Sequence, residues 1–373
     1  DWSSDVCSSD LLEEQQIALR ADMYYVKIRV TAIKKKLKFP LLSIIKKDGV
    51  REFTNDIIGK EFVVNKITLQ DCIKYHGIKF KILMGYYFND GFNPTVKEIV
   101  RDLYNKRNEF KKQKNPIQAT YKLILNSFYG KTIQKPIEYE HKFINGRNKF
   151  ISYIGNQHYK LKDSIKLSND WYLAKTEKQL INQFSLVHIG VDILSMSKRI
   201  MNRVMTTAQD NKIDIYYQDT DSMHIINDKI DLLAEAYKKK YNKELIGSDL
   251  GQFHCDFDFQ GTNIRSVESY FLGKKSYIDK IKYTNYDNKE VKDYHIRLKG
   301  IPSACITHKV KTEYNNKPMN LFKDLFNGKK IDFDLSIACK LQFNNNFSIN
   351  NIKEFTRTIH FNNAEIIEED KIC

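Results

Sequence analysis

The chain lacks paired cysteines, long apolar runs and a leader-like start. Its six cysteines, Cys7, Cys72, Cys255, Cys305, Cys339 and Cys373, stand far apart with no C-x-x-C among them. That spacing gives no sign of a disulfide framework or a zinc knuckle, and a reducing compartment is the expected setting. No apolar stretch approaches the roughly 20 residues that cross a bilayer. The start has neither the charged nor the apolar region of a signal peptide, so a soluble intracellular protein without a membrane partner is expected. No internal repeat is present. What the chain has in quantity is positive charge: 61 Lys and Arg against 46 Asp and Glu, a formal +15 spread along 373 residues. Such a balance suits a long anionic partner such as nucleic acid. With 42% hydrophobic and 12% aromatic residues, the chain can bury a core in two to three structural units.

The first eleven residues, DWSSDVCSSDL, resemble the translation of a sequencing adapter and are set aside as a scar. They hold three Asp and no Lys or Arg, so the remainder carries +18. From Tyr24 to Thr31 the pattern alternates as a half-buried strand does, and strand-like pieces recur near Phe39 to Ile45 and Phe80 to Tyr87. Thr68 to Tyr75 reads as a short helix capped by Thr68. Asn93-Pro94 opens a helical run to about Lys114, and Asn115-Pro116 opens a second that Gly130 is expected to stop. Proline forces a sharp turn between them, so a helical hairpin is predicted. Ile137 to Asp170 reads as short strands and turns, and a periodic helix with Ile193, Leu194, Ile200, Met201, Val204, Met205 and Ala208 on one side as a core helix. Ile213 to Tyr217 and Ser222 to Ile226 form a hairpin by pattern, and a second is expected beyond Ser276 with its turn at Asn285 to Asn288. The fold class is α+β.

The first chemistry-bearing stretch is Tyr216-Tyr217-Gln218-Asp219-Thr220-Asp221-Ser222, an Asp-x-Asp held at a bend between apolar strands. Close carboxylate oxygens suit a hard divalent ion, although an Asp-rich turn alone is as readily a plain turn. The second is Tyr121 to Gly130, where Lys122, Asn126 and Tyr129 share one helical face. Arg107 and Lys111 are likewise four apart on the preceding helix. Two cationic faces on neighbouring helices can close on a triphosphate, or can simply be solvated.

K-x-x-x-N-S-x-Y-G followed by Y-x-D-T-D-S resembles motifs B and C of family B DNA polymerases, and Lys275-Ser276-Tyr277 resembles the K-x-Y element that follows them. The compact C-terminal region and the inserted segments are similar to those of the protein-primed branch found in phages, viruses and linear plasmids. The resemblance implies a right-hand fold with an antiparallel-sheet palm, helical-hairpin fingers and a small thumb. Its implied boundaries are palm strands with a first insertion at 12–92, fingers at 93–131, a second insertion at 132–180, palm with motif C at 181–278 and thumb at 279–373. It also implies that Asp221 ligates two Mg²⁺ ions, or Mn²⁺ in their place, with Asp219 in support. Arg107, Lys111, Lys122 and Asn126 would hold a dNTP, and Tyr129 would pack at the nascent base pair. Lys275 and Tyr277, two apart and expected on one strand face, would meet primer–template DNA together with Lys299. The implied reaction is transfer of dNMP from dNTP to a primer 3′-hydroxyl, or to the hydroxyl of a terminal (priming) protein.

One family element is expected and not found. Motif A, a strand ending in Asp-x-x-Ser-Leu-Tyr-Pro or a close variant, has no counterpart in residues 12 to 23, and the proofreading exonuclease expected further upstream is not among the residues given. A fragment that begins just after the catalytic strand and is inactive alone is therefore expected. Two adjacent aspartates would mark a reverse transcriptase, and Asp219-Thr220-Asp221 separates them. A decayed nucleic-acid-binding remnant is the other alternative, against which Asp221 and Lys122 are both retained. His254-Cys255-Asp256 is read as structural, since a lone His-Cys pair is no metal site.

Overall fold

A computed structural model describes residues 19–89, 91, 94–178, 185–257, 259–338, 341–343, 349–351 and 355–361. The adapter-like start, the Asn93 cap, Cys339 and Cys373 lie outside the described residues. The chain divides into two compact units, residues 1–206 and 207–373.

In the first unit, β1 (Met23–Ala32) is the centre of an antiparallel sheet whose edges are β4 (Glu61–Asn65) and β5 (Lys79–Phe88). Alternation puts Tyr24, Val26, Ile28 and Val30 on one face, where they are buried against Ile57, Leu69, Cys72 and Ile78. Between the strands, β2 (Ser43–Ile45) pairs only with β3 (Arg51–Phe53), so the strand expected from Phe39 is shorter than its pattern. The helix after β4, α1 (Lys66–Asp71), starts earlier than expected, because Asn65 and not Thr68 is its cap. The Asn65 side-chain oxygen accepts the Thr68 N–H at 3.0 Å. A π-helical turn, Cys72–His76, completes it.

Two helices follow, α2 (Pro94–Lys112) and α3 (Gln118–Thr132), joined by a turn in which Asn115 Oδ1 accepts the Ile117 N–H. The expected helical hairpin forms, but Asn115-Pro116 does not open its second helix: the pair lies in the turn, and the helix begins at Gln118 with Ile117 at its cap position and no side-chain cap bond. Gly130 does not end α3, which runs on to Thr132, whose hydroxyl donates to Tyr129 O at 2.6 Å. The segment expected to be strands and turns also holds a helix. Here β6 (Tyr139–Asn145), α4 (Arg147–Gln157), β7 (Leu161–Lys166) and β8 (Trp171–Glu177) form a sheet of order β6-β8-β7. Phe150 of α4 stacks on Tyr172, ring centroids 4.4 Å apart.

The long helix α5 (Val187–Asp210) runs through the boundary between the units. Its N-terminal half is tied to the first sheet: Asp192 accepts bonds from Tyr25 Oη and Asn65 Nδ2, both at 2.9 Å, and Arg199 Nε donates to buried Asp71 at 2.7 Å. Met201, Val204, Met205 and Ala208 are buried as their spacing predicts, while Ile193 and Leu194 stay exposed.

The second unit begins with the hairpin β9 (Ile215–Asp219) and β10 (Ser222–Ile225), then α6 (Ile230–Tyr241). A three-stranded antiparallel sheet follows: β11 (Thr262–Gly273), β12 (Ser276–Thr284) and β13 (Glu290–Leu298). The β12–β13 turn is held by Asn285, whose side chain accepts from Asp287 and Lys289 N–H groups. Two helices, α7 (Ser303–Glu313) and α8 (Pro318–Phe326), cover one face of this sheet, together with β14 (Ile331–Asp334). Short strands β15 (Leu341–Phe343), β16 (Ile349–Asn351) and β17 (Thr356–Ile359) complete the unit, β17 pairing with β14. Phe322, Leu325, Phe333 and Ile278 form the centre of its core. Among the described residues no helix is long and apolar enough to cross a membrane.

Candidate active site

The β9–β10 hairpin closes with Ser222 opposite Asp219, leaving Thr220 and Asp221 as its turn. Thr220 has φ 50°, and the Asp221 N–H donates to Asp219 O at 2.6 Å. A β-branched residue at positive φ is strained by about 1–3 kcal/mol and persists only where its surroundings hold it. Here the Ser222 hydroxyl adds a bond to the same carbonyl at 3.1 Å. Asp221 is thereby presented to solvent, and Asp219 is half-buried.

Asp219 is engaged at both oxygens. Lys275 Nζ donates to Oδ2 at 2.7 Å, and the Thr220 hydroxyl to Oδ1 at 3.1 Å. The Lys275 bond is the main reason the Asp219 carboxyl is held below the usual carboxylate range, and the same bond raises the Lys275 ammonium. Lys275 does not alternate with Tyr277 along a strand, as its sequence position suggested. It lies in the two-residue turn between β11 and β12 with φ 58°, a conformation that takes its side chain out of the strand's alternation. Its backbone N–H donates to Tyr217 Oη at 2.8 Å.

Cross-strand register explains why this corner is aromatic. Phe271 faces Tyr277, Ser269 faces Asp279, and His295 faces Asp279, so these residues share one face of the sheet. Tyr270, Leu272, Ile278 and Ile296 take the opposite face, against the core of α7 and α8. Onto the first face packs Tyr217 of the hairpin, stacked on Phe271 at 5.3 Å and tilted against Tyr277 at 4.8 Å. An open groove of about 560 Å³ runs past Tyr216, Tyr217, Asp219, Phe271 and Lys274. Lys299 is exposed, and its N–H donates to Ser276 Oγ at 3.2 Å. Asp219, Lys275 and Tyr277 are thus brought together within the second unit, while Lys299 is tied by its backbone N–H to Ser276, the residue before Tyr277.

The same face carries residues that sequence reasoning passed over. Asp279, fully buried, is reached by Ser269 Oγ at 2.6 Å, by His224 Nε2 at 3.2 Å and by His295 Nδ1 at 3.5 Å. Burial alone would raise its carboxyl, but the hydrogen bonds from His224, His295 and Ser269 more than offset this and hold it well below the usual range. The signal was an acidic residue inside Tyr-Ile-Asp-Lys-Ile, two positions from Tyr277 on the same strand face.

Arg107, Lys111, Lys122, Asn126 and Tyr129 all lie on the helical pair of the first unit. Phe110 and Tyr121 stack between the helices at 5.5 Å, which marks the seam. Arg107, three residues from Phe110, falls on that seam: it is half-buried, and its Nε is buried with no hydrogen-bond partner among the described residues. Lys111, Lys122 and Asn126 are exposed, and Tyr129 is half-buried.

Asp219 and Asp221 are oxygen donors of the kind Mg²⁺ takes. Among the described residues, however, no group of three or more His, Cys, Asp or Glu could hold an ion. One of the two carboxylates already pairs with Lys275. The pair fits a hard cation in kind and falls short in number, so it does not make a two-ion centre by itself.

The second unit thus holds paired aspartates on a strained hairpin turn with a cation-bearing turn beside them, and the first unit holds a helical pair with further cations. The family is given by comparison: the model of DNA polymerase type B, organellar and viral, matches residues 8–211, more than half of the chain, and the chain belongs to that family. A DNA polymerase of Kluyveromyces lactis is 27% identical over 218 residues, covering 58% of this chain and 20% of its own length. A DNA polymerase of Acidianus bottle-shaped virus is 43% identical over 72 residues, covering 19% of this chain and 10% of its own. The chain therefore spans a fifth or less of the length of these two relatives. The structure of Phi29 DNA polymerase with primer-template DNA and incoming nucleotide substrates aligns with a TM-score of 0.56 over 94% of this chain and 52% of that one. At 15% identity the likeness is one of fold, mixed helix and sheet.

Proposed function

We propose that the chain carries the polymerising region of a protein-primed DNA polymerase, one that transfers dNMP from dNTP to a primer 3′-hydroxyl or to the hydroxyl of a priming protein. The observation that carries this is the assembly, in one unit, of the Asp219-Thr220-Asp221 turn with Lys275 and Tyr277. In this reading the β1 and β9–β10 sheets are palm, α2 and α3 are fingers, and 132–180 is an insertion. The palm-to-thumb boundary expected after residue 278 falls inside β12, so the thumb is better begun at α7. Arg107, Lys111 and Lys122 would hold the triphosphate, with Asn126 assisting and Tyr129 packing at the nascent base pair. Arg107 suits that role, since it is half-buried on the helix seam and its planar guanidinium can fork onto phosphate oxygens.

Lys275 and Tyr277 would meet the primer end, with Lys299 alongside. Mg²⁺, or Mn²⁺ in its place, would use Asp221 and Asp219 only with a further carboxylate.

The test separates the two groups of residues. With the full chain, primer–template binding and binding of a fluorescent dNTP to that complex are measured for Lys122→Ala and Lys275→Ala. Lys122→Ala should weaken dNTP binding about tenfold and leave primer–template affinity nearly intact, while Lys275→Ala does the reverse. Equal effects of both variants on both ligands would refute the assignment.

A further inference from the structure

A carboxylate taken fully out of water persists only where hydrogen bonds replace its hydration. Asp279 receives three of its bonds from its own sheet: Ser269 and Ser266 hydroxyls reach Oδ1 at 2.6 and 3.4 Å, and His295 Nδ1 lies 3.5 Å from Oδ2. The remaining one crosses from the aspartate hairpin, where His224 of β10 places Nε2 3.2 Å from Oδ2. The other ring nitrogen of His224, Nδ1, is buried with no partner among the described residues, so the ring is anchored through Nε2. Aromatic rings enclose it: Phe271 at 5.0 Å, Tyr277 at 5.4 Å, Tyr217 at 5.6 Å and Phe257 at 6.3 Å. His224 is also the cross-strand partner of Tyr217, whose hydroxyl accepts the Lys275 N–H and which stands two residues before Asp219. A shift of the His224 ring is therefore passed directly to both ends of the Lys275–Asp219 pair.

We infer that His224 is a positioning residue: by bonding buried Asp279 it sets the hairpin that carries Asp219 and Asp221 against the turn that carries Lys275 and the strand that carries Tyr277. This inference rests on the proposed function for what the positioned groups do, but the positioning itself can be read without DNA. In the full chain, Lys275 is acylated with acetic anhydride and its labelling rate is read by mass spectrometry, with Lys122 as the internal reference. His224→Ala should raise Lys275 labelling about five- to tenfold by releasing it from Asp219, as loss of one hydrogen bond to a charged group allows. Gln can set an amide nitrogen where Nε2 stands and Asn cannot, so His224→Gln should label like the wild type and His224→Asn like His224→Ala. Thermal melting of each variant reports folding, and where His224→Ala does not fold, the Gln and Asn variants decide alone. Unchanged Lys275 labelling in a folded His224→Ala, or equal labelling of the Gln and Asn variants, would overturn the inference. Primer–template affinity supplies the second arm. His224→Ala should weaken it about five- to tenfold alone and add nothing in a Lys275→Ala background, whereas additive losses would indicate a merely structural residue. A wild-type chain that binds no primer–template would refute the proposed function, and the labelling would still decide on His224.

Discussion

Single residues in this protein show how a buried charge is stabilised. Asp279 has a carboxyl depressed in the folded state, so its contribution to stability is full above the unfolded value near pH 4 and is lost as pH falls through the lower folded value. Asp279→Asn should therefore cost about 2–4 kcal/mol at pH 7. Urea unfolding followed against pH should show a wild-type advantage that is flat above about pH 5 and shrinks below about pH 4. An advantage that instead disappeared between pH 6 and 7 would mean that another group governs the site. At this scale the sequence was readable where a residue type announces its chemistry, as at Asp219 and Asp221. It was misleading at Lys275, because nothing in Lys-Lys-Ser-Tyr signals a positive φ on a lysine. It was silent at His224, since no spacing rule relates it to Asp279, 55 positions away in the chain.

Among the elements, those with strict periodicity or a turn signal between them were legible: β1, the β9–β10 hairpin, α5 and the α2–α3 hairpin, although Asn115-Pro116 marks the turn between the helices and not the first residues of α3. The helix α4 was not, because its cap position is Gly146 without a side-chain bond and its sequence is rich in Asn, Gly and aromatics. Tertiary contacts hold it, with Phe150 stacked on Tyr172 and Tyr153 Oη 3.4 Å from the Thr176 hydroxyl. The base of α3 depends on a close approach of another kind. Gly190 of α5 is buried, and a Cβ there would lie 2.2 Å from Thr132 Oγ1 and 2.3 Å from Ile133 Cγ2. Gly190→Ala should therefore destabilise the chain by about 1–3 kcal/mol, despite alanine's higher helix propensity. A rise in melting temperature on this substitution would show that the contact at α3 has room to give.

For the molecule as a whole, charge is the property most directly tied to a partner. With a formal +15 on 373 residues, primer–template affinity should fall steeply with salt, because the entropy gained by releasing condensed counterions shrinks as bulk salt rises. Lys275→Ala should lower the slope of log affinity against log salt by about one. A slope near zero in titrations across salt concentrations would exclude phosphate contact as the source of binding. The helical pair adds a mechanical consequence. No residue of α2 or α3 is buried, and the base of α3 rests on Gly190. At about 1.5 Å per residue the 19 residues of α2 reach roughly 28 Å. Over that arm a tilt of about 10° at the base would carry the far tip roughly 5 Å. A tilt of that size at the Gly190 contact would be magnified into a displacement the size of a phosphate group where Lys111 and the Asn115-Pro116 turn stand.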